Sequence, residues 1–475
     1  MLSQFNDSGD PRTDWACGRL RLLGSLISLH ETKYMKADFG PTFRPDPASA
    51  PYNGEAPIRS VYALHSNLRQ IGVDLARGAD MALLDGLQPY EPRERTKDNA
   101  RRIRDVVQTL DLAQQAGENV TPAGNWMLDN AHVVEEAIVG IHRDLPPRFY
   151  HQLPLMNGNV FPRALAIAWA YVAHADSAIS EEGFHAIVEG YQQEQPLRIG
   201  ELWALPSILR FVLVENLRRL ALRVLSARDM RLAANKIADQ LAASPANEQA
   251  AVLAEHASHA GHRSFATQLL YRLRDGSQTS HAALAWLEEK LEATGTNAEE
   301  IAGYEHANLS AGNVTTSNII KGLRLIDDID WTVWFEDVSG IDQMLRERSD
   351  FATLDFPSRD TYRQTIEELA KRCGKEEHEI ALKAIEMAEA ATTQPDAGFP
   401  VQKPNVGHFL VGPGRQEFEK AIDYRPTLSE RLHRFVRRSG WLGFVIPVAA
   451  ITGLLVALVT YALSFTRLEP GIVTL

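Results

Sequence analysis

Cysteine is scarce in this chain, and its scarcity argues against two kinds of architecture. The only two cysteines among the 475 residues, Cys17 and Cys373, lie far apart in the sequence. A disulfide-built domain and a cysteine-based metal site are therefore not expected, and the chain fits a reducing compartment. The N-terminus also has no basic segment followed by an apolar stretch, so it is not predicted to be a signal peptide.

The sequence has none of the short motifs that mark several common enzyme classes. We find no G-x-S-x-G, no glycine-rich phosphate loop ending in Lys-Ser or Lys-Thr, and no dinucleotide fingerprint. With a net charge of −12, the chain as a whole is not expected to bind nucleic acid. From the residues we assign no catalytic, cofactor-binding or metal-ligating residue to this chain.

Helical periodicity fills most of the chain from Ile58 onward. Apolar residues recur at spacings of three and four, and segments such as 201–226 carry one wide apolar stripe. Asn125, Ser180 and Ser358 are predicted as helix N-caps. The best candidate strand is VGHFLVG at 406–412. The predicted fold class is all-α: a multi-helix cytoplasmic body followed by a single C-terminal transmembrane helix.

The longest uncharged apolar run predicts that C-terminal span. Residues 441–465 contain no charged residue, and about twenty apolar residues in a helix cross a bilayer. Four arginines precede the run and are expected to stay on the cytoplasmic side. These membrane-flanking residues are Arg431, Arg434, Arg437 and Arg438. The lipid bilayer is therefore a predicted partner, and small residues in the span would allow partner helices to approach closely.

Composition divides the chain into predicted segments. A leader rich in proline and alanine covers 1–56, and a flexible joint rich in proline precedes the basic stretch. The predicted segments are a flexible leader 1–56, a helical domain 57–275, a second helical domain 276–392, a linker and basic juxtamembrane stalk 393–439, a transmembrane helix 440–466 and a periplasmic tail 467–475.

Charged side chains on the apolar helix 201–226 form the main candidate network. We expect them to pack against helix 126–143 in a structural or interaction role, because paired buried charges more often shape helix contacts than perform chemistry. A docking face would show as an exposed apolar or aromatic patch, and Trp126, Trp203, Trp331 and Trp334 are candidates for the core or for such a patch, with the core favoured. The candidate interaction or structural residues are Trp126, Asp129, Asn130, His132, Glu135, Glu201, Trp203, Glu215, Asn216, Arg218 and Arg219.

Three other groupings are weighed as sites of chemistry and given little weight. A ferritin-like metal set would combine Asp129, His132 and Glu136 with Glu182, His185, Glu201 and Glu215. A histidine-rich helix face, Glu255 with His256, His259 and His262, could share zinc, but an exposed face is favoured. Asp328 and Asp330 form a D-x-D pattern, for which helix capping by Asp330 is favoured over cation binding.

Several long blocks, in order, resemble the N-terminal region of cyclic β-1,2-glucan synthases, over roughly residues 57–465. The blocks are Trp126–Ile138, Arg143–Pro146, Ile199–Arg210, Glu215–Ala221, Ser317–Trp331 and Asp355–Arg363. The resemblance implies a large enzyme of the Gram-negative inner membrane that makes β-1,2-glucan from UDP-glucose on the cytoplasmic side. UDP-glucose and a divalent cation are implied for a transferase module beyond the first span, not for this chain.

The chain departs from the family pattern because it lacks the Q-x-x-R-W motif and stops at residue 475, after the predicted first span. The expectation is therefore a non-catalytic, membrane-anchored helical module, present as a fragment or as a split subunit. It would dock the glycosyltransferase module or further transmembrane helices of the same system. The alternatives are a tail-anchored cytoplasmic adaptor or an independent carboxylate or metal enzyme. The expected location is the bacterial inner membrane, with a periplasmic C-terminus.

Overall fold

The computed structural model describes residues 55–78, 84, 86–156, 160–275, 281–392, 405–426 and 442–465. Within these residues the regular structure is helical, with one isolated antiparallel bridge between Leu155 and Pro162. The predicted all-α class is confirmed. The four membrane-flanking arginines, the predicted tail and nearly all of the predicted leader lie outside the described residues.

The helices are numbered here in chain order. They are α1 (His65–Arg77), α2 (Pro92–Gln115), α3 (Pro122–Asp129), α4 (Ala131–Asp144), α5 (Pro147–Tyr150), α6 (Arg163–His174), α7 (Glu181–Glu194), α8 (Ile199–Ala243), α9 (Ala246–Glu255), α10 (Arg263–Arg274), α11 (His281–Ala293), α12 (Ala298–Asp328), α13 (Trp331–Val338), α14 (Gly340–Arg348), α15 (Phe356–Cys373), α16 (Glu377–Thr392), α17 (Gly407–Leu410), α18 (Arg415–Ala421) and α19 (Leu442–Phe465).

The chain separates into two compact units, residues 1–340 and 341–475. The predicted boundary near residue 275 lies inside the first unit, where residues 276–280 are outside the described part. That predicted domain division stays a prediction.

Helix α8 is the central element of the first unit. It runs for 45 residues and so extends beyond both ends of the predicted helix 201–226. Its first half is buried on most sides because α2, α4, α6 and α12 pack around it. Its second half buries a single stripe of Ala234, Ile237 and Leu241, which joins Phe265 and Leu287 in a second apolar cluster. One helix thus serves two parts of the core.

Two glycines let α1 and α7 cross at close range. A Cβ atom on Gly72 would collide with the backbone of Ile187, and one on Gly190 would collide with the backbone of Arg69. No rotamer change can relieve a clash with backbone, so this pair depends on glycine at both positions. The crossing fixes α7 against the N-terminal part of the unit.

Several predicted helix boundaries are corrected by local hydrogen bonds. The predicted helix 126–143 is two helices, because the Asn130 side chain donates to the Trp126 carbonyl at 2.9 Å and interrupts the backbone pattern. Thr121, not Asn125, caps α3. Asp355, not Ser358, caps α15 and accepts from the Ser358 amide at 3.2 Å.

Other predictions divide between confirmation and correction. Ser180 is confirmed as an N-cap, accepting from the Gly183 amide at 3.1 Å. The predicted strand 406–412 is wrong, because residues Gly407–Leu410 form the single helical turn α17 and Val406, its N-cap, has helical backbone angles. The glycines and proline around this short apolar run bound a helical turn as readily as a strand.

The C-terminal helix α19 confirms helical structure across most of the apolar run. Its described side chains are Val445 and those of 448–462, and all of them are exposed. Counted over the residues that the structure describes, no helix is long and apolar enough to cross a membrane. The predicted transmembrane span therefore remains a prediction.

Candidate functional site

The most concentrated polar chemistry in the first unit is a buried ion cluster at the middle of α8, here called the Glu215 cluster. It consists of Glu55, Arg95, Glu215, Arg218 and Arg219. Arg95 donates to both carboxylate oxygens of Glu215 at 2.8 Å, and Arg218 and Arg219 each donate to Oε1 at 2.8 Å. Glu55 accepts from Arg95 at 2.9 Å and also from Arg218. Two carboxylates therefore face three guanidinium groups.

This environment fixes the protonation state of Glu215. The side chain is completely buried, and burial alone would raise its pKa. The hydrogen bond from Arg95 and the charges of Arg218 and Arg219 outweigh that effect and lower the pKa to about 2. At neutral pH Glu215 is a saturated hydrogen-bond acceptor, which suits a structural role and not proton transfer.

Arg219 extends the cluster into the surrounding core. Its Nη1 donates to the carbonyl of Ala56 at 2.8 Å, and its Nη2 donates to the hydroxyl of Tyr90 at 2.9 Å. Its guanidinium also lies 5.0 Å from the ring centroid of Trp169. These contacts disperse the positive charge over a carbonyl, a hydroxyl and an aromatic face.

The cluster anchors a segment without regular secondary structure, residues 55–63, which we call the strap. Asn216 holds the backbone of Ile58 at both polar groups, accepting from its N–H at 2.7 Å and donating to its carbonyl at 3.3 Å. Further along, the amides of Ser60 and Ala63 donate at 2.9 Å to the carbonyls of Ala173 and His174. The strap is thereby tied to α6 and α8 by backbone and side-chain bonds.

A tight turn after α6 completes the attachment of the strap. Asp176 and Ser177 have φ values of 45° and 61°, a left-handed conformation that non-glycine residues adopt at a cost. The Asp176 carboxylate accepts from Arg59 of the strap at 3.0 Å. The buried Ser177 hydroxyl accepts from Asn216 at 2.9 Å. The same polar residues therefore hold both the strained turn and the strap.

The sequence predicted a single network, but the structure distributes its members over several places. Glu201 is fully buried and pairs with Arg163, at 2.6 Å to Nη2 and 2.7 Å to Nε. It lies fourteen residues from Glu215 on α8, about 20 Å along a helix axis. Glu135 pairs with Arg104 at the surface at 2.6 Å.

Of the remaining predicted members, some lie at the surface and others lie at contacts between helices. Asn130 accepts from Arg324 of α12 at 2.6 Å, and Lys321 of the same helix lies 5.7 Å from the ring centroid of Trp126. Asp129 and His132 are exposed. Trp203 is half-exposed and stacks on Phe335 at 4.5 Å between ring centroids, so it links α8 to α13.

The structure does not assemble the ferritin-like set. Glu136 and Glu182 are exposed, like Asp129 and His132, whereas Glu201 and Glu215 are buried and paired with arginines. His185 lies 3.6 Å from Glu189 on its own helix. Among the described residues, no group of three or more histidine, cysteine or carboxylate side chains is arranged to hold a metal ion.

The histidine-rich stretch is not a continuous helix face. Helix α9 ends at Glu255, a short 3-10 turn covers Ala257–His259, and α10 begins after His262. The rings of His256 and His259 stack with centroids 5.8 Å apart. The predicted fan of imidazoles on one helix is therefore wrong, because the helix stops at its first histidine.

The D-x-D pair occupies a helix-to-helix junction. Asp328 is the last residue of α12 and is exposed. Asp330 caps α13, accepting from the amides of Thr332 at 3.0 Å and Val333 at 3.3 Å. Capping by Asp330, the favoured interpretation of the sequence, is confirmed.

Sequence reasoning missed a second buried ion pair, in the second unit. Asp342 of α14 and Arg363 of α15 are both fully buried, and Arg363 donates to Asp342 through Nε at 3.2 Å and Nη2 at 2.5 Å. The guanidinium also lies 5.2 Å from the ring centroid of Phe356. The sequence did contain one signal: Arg363 stands on the side of its helix where the apolar residues recur.

Comparison with known proteins agrees with the resemblance in the sequence. No protein-family model matches the chain. The chain is 49% identical over 421 residues to the cyclic beta-(1,2)-glucan synthase NdvB of Rhizobium meliloti (strain 1021). The match covers 88% of this chain but only 15% of the length of that protein. The chain spans a small part of the length of this relative, and at this level of identity it belongs to the cyclic β-(1,2)-glucan synthase family.

Proposed function

We propose that this chain is a non-catalytic helical module of a cyclic β-(1,2)-glucan synthase, and that it supports and docks the glycosyltransferase module. The observation that carries the proposal is the Glu215 cluster. Its carboxylates and guanidinium groups bind one another and so hold α2, α8 and the strap together. Buried charges arranged in this way suit a structural scaffold, and Glu215, whose pKa is lowered to about 2, is not available for acid–base chemistry at neutral pH.

The proposal places the module at the bacterial inner membrane, with α19 as its anchor. Support comes from the uncharged run 441–465 and from the outward exposure of its described side chains, including Leu454 and Leu458. The four arginines before the run favour a cytoplasmic body and a periplasmic C-terminus. The lipid bilayer and further transmembrane helices would be its partners.

Orientation is tested by cysteine labelling of the full chain in intact cells. Cys373 is native to the second unit, and Thr474→Cys adds a thiol beyond the apolar run. A membrane-impermeant maleimide is expected to label the variant from the periplasmic side and to leave the native chain unlabelled until the cells are opened. Labelling of the native chain in intact cells would contradict the proposed orientation.

UDP-glucose and a divalent cation would be bound by the transferase module, and this chain would position that module. Trp203 is a suitable docking residue because stacking on Phe335 fixes an aromatic ring at the surface. Trp203→Ala is expected to reduce co-purification of the transferase module. Tyr271→Ala, which removes another exposed aromatic ring from the first unit, is the matched control.

The deciding experiment measures incorporation of labelled UDP-glucose into β-1,2-glucan by isolated membranes. Three samples are compared: this chain alone, the transferase module alone, and both together. We expect glucan only when both are present. Glucan from this chain alone would refute the scaffold role and require an active site within it. Full activity of the transferase module by itself would favour a tail-anchored adaptor instead.

A further inference from the structure

Two polar side chains of α2 are completely buried without a protein group to bond to. The carboxamide of Asn99 has no hydrogen-bond partner at its oxygen or at its nitrogen among the described residues. Within the same part of the chain, the hydroxyl of Thr96, three residues earlier, has none either. Buried polar groups of folded proteins are nearly always bonded, so each exception needs a physical explanation.

The type of residue at position 99 also calls for an explanation. Asparagine is a weak helix former, and the next buried positions of α2 hold the apolar residues Ala100, Ile103 and Val106. Burying a carboxamide without hydrogen bonds is unfavourable, and a leucine of similar shape would avoid that cost. Asn99 therefore suits a position where a bound molecule both accepts and donates a hydrogen bond.

Asn99 lies within about one helical turn of the Glu215 cluster. Arg95 and Asn99 are four residues apart on α2, so they share one face and lie about 6 Å apart along the helix axis. Arg95 bonds to Glu215 of α8, and Arg218 donates to the same carboxylate through Nη2 at 2.8 Å. The Nε atom of Arg218 is buried and bonds to no group in the described ranges. Polar atoms without a protein partner therefore occur on both α2 and α8 near this cluster.

The donors and acceptors restrict the bound molecule. Asn99 donates and accepts, the Thr96 hydroxyl does either, and Nε of Arg218 only donates. A molecule that bridges them must donate and accept, carry no charge and fit between packed helices. Water meets these conditions, and internal waters typically make about three hydrogen bonds to buried polar groups. We propose that α2 and α8 enclose an internal hydration site, in which ordered water bridges Thr96 and Asn99 to Nε of Arg218.

The direct test counts the long-lived waters of the full chain in detergent by oxygen-17 relaxation dispersion of the solvent. Asn99→Leu replaces the carboxamide with an apolar side chain of similar shape, and we expect it to lose at least one such water. Thr316→Val is the matched control, because the fully buried Thr316 hydroxyl already donates to the Gly312 carbonyl at 2.8 Å. An unchanged count in Asn99→Leu, or an equal loss in Thr316→Val, would overturn the hydration site.

A second variant, Thr96→Val, makes the sign of a stability change decisive. If the Thr96 hydroxyl had no partner of any kind, valine would remove an unfavourable group and raise the urea midpoint of unfolding. A bridging water predicts the opposite, a midpoint lowered by roughly 0.5 M, because the water loses a partner that valine cannot replace. A raised or unchanged midpoint would contradict the proposal. This nearly isosteric change keeps the test available if Asn99→Leu does not fold.

The two measurements together exclude a direct contact between Asn99 and Arg218. Such a contact would lower the midpoint of Asn99→Leu without any loss of long-lived water, and that combination would overturn the hydration site. Loss of water together with a lowered midpoint supports it. Neither measurement involves glucan synthesis, so the scaffold proposal can fail while the hydration site stands, and the reverse also holds.

Discussion

Each of the two compact units buries a carboxylate completely, but the two units neutralise it differently. In the first unit Glu215 meets guanidinium groups from two helices, and Glu55 of the strap joins the same cluster. In the second unit Asp342 meets Arg363 at two donor atoms. The first arrangement shares the charge of Glu215 over three guanidinium groups, whereas the second joins Asp342 to Arg363 through two donor atoms of one guanidinium.

The sequence separation of the partners shows what each arrangement accomplishes. Arg95 and Glu215 are 120 residues apart, and Arg218 and Glu55 are 163 apart, so the Glu215 cluster connects distant segments. Asp342 and Arg363 are 21 residues apart and connect consecutive helices. The shared cluster organises the tertiary structure of the first unit, and the pair fixes a local helix–helix contact in the second.

The largest effect on stability is expected when the Asp342–Arg363 pair is lost. Arg363→Ala leaves Asp342 buried without this guanidinium and is expected to cost about 4 kcal/mol of local stability. Hydrogen exchange of peptides from α15 in the full chain measures this loss. Lys371→Ala, on the same helix with an exposed partner, Glu367, is the control. The double change Asp342→Leu with Arg363→Met is expected to recover most of the stability, and failure to recover would show that the pair does more than neutralise charge.

A somewhat smaller effect is expected in the shared cluster. Glu215→Gln removes a charge on which three guanidinium groups converge, but Glu55 remains to balance two of them. We expect a cost of about 3 kcal/mol in the free energy of unfolding of the first unit. Chemical denaturation of the full chain, followed by exchange of strap and α8 peptides, measures it. Glu248→Gln at an exposed position is the control. A cost as large as that of Arg363→Ala would show that a cluster with several charged groups loses as much stability as a single pair when one member is removed.

The same variant has a defined dependence on pH. The pKa of Glu215 falls from 4.5 to about 2 on folding, so its charge stabilises the native state above pH 4.5. That contribution decreases as the pH falls from about 4.5 towards 2. The difference in stability between the native chain and Glu215→Gln is therefore expected to shrink across this window. A difference that stayed constant would mean that Glu215 is not ionised in the folded protein.

The sequence predicts the helices better than it predicts which charged side chains pair with one another. Periodicity identified the helical body, and Glu215, Arg218 and Arg219 at spacings of three and four on an apolar helix indicated a buried network. Arg95 and Glu55 were missed because nothing local marks which distant charge completes a cluster. Glu201 was assigned to the same network, although fourteen residues along a helix separate the two sites by about 20 Å.

Boundaries failed where one side chain or one long packing surface overrode the local pattern. Asn130 ends a helix by bonding to its own preceding turn, which the periodicity of 126–143 conceals. The predicted helix 201–226 continues to Ala243, because α8 changes from burial on most sides to burial along one stripe without interrupting its backbone. Periodicity records which residues face inward, and it does not record how far a helix continues.

A moderate effect on stability is expected when the strap loses Asn216, the uncharged side chain that holds its backbone. Asn216→Ala removes hydrogen bonds to the N–H and carbonyl of Ile58 and to the Ser177 hydroxyl, all of them buried. We expect a cost of about 2 kcal/mol because these groups lose their partners without exposing a charge. Exchange of the strap amides should accelerate more than that of α8. Equal acceleration throughout the first unit would show that the strap is not a separate element held by Asn216.

The smallest effect is expected at an ion pair with similar geometry but a different environment. Arg104 donates to both oxygens of Glu135 at 2.6 Å, yet their side chains are 57% and 43% exposed. Arg104→Ala is expected to change the free energy of unfolding by about 0.5 kcal/mol or less, because water already solvates both charges. The measurement is denaturation of the full chain at low and at high salt, with Arg363→Ala beside it. A cost near that of the buried pair would mean that geometry, and not burial, determines what an arginine–carboxylate contact contributes in this protein.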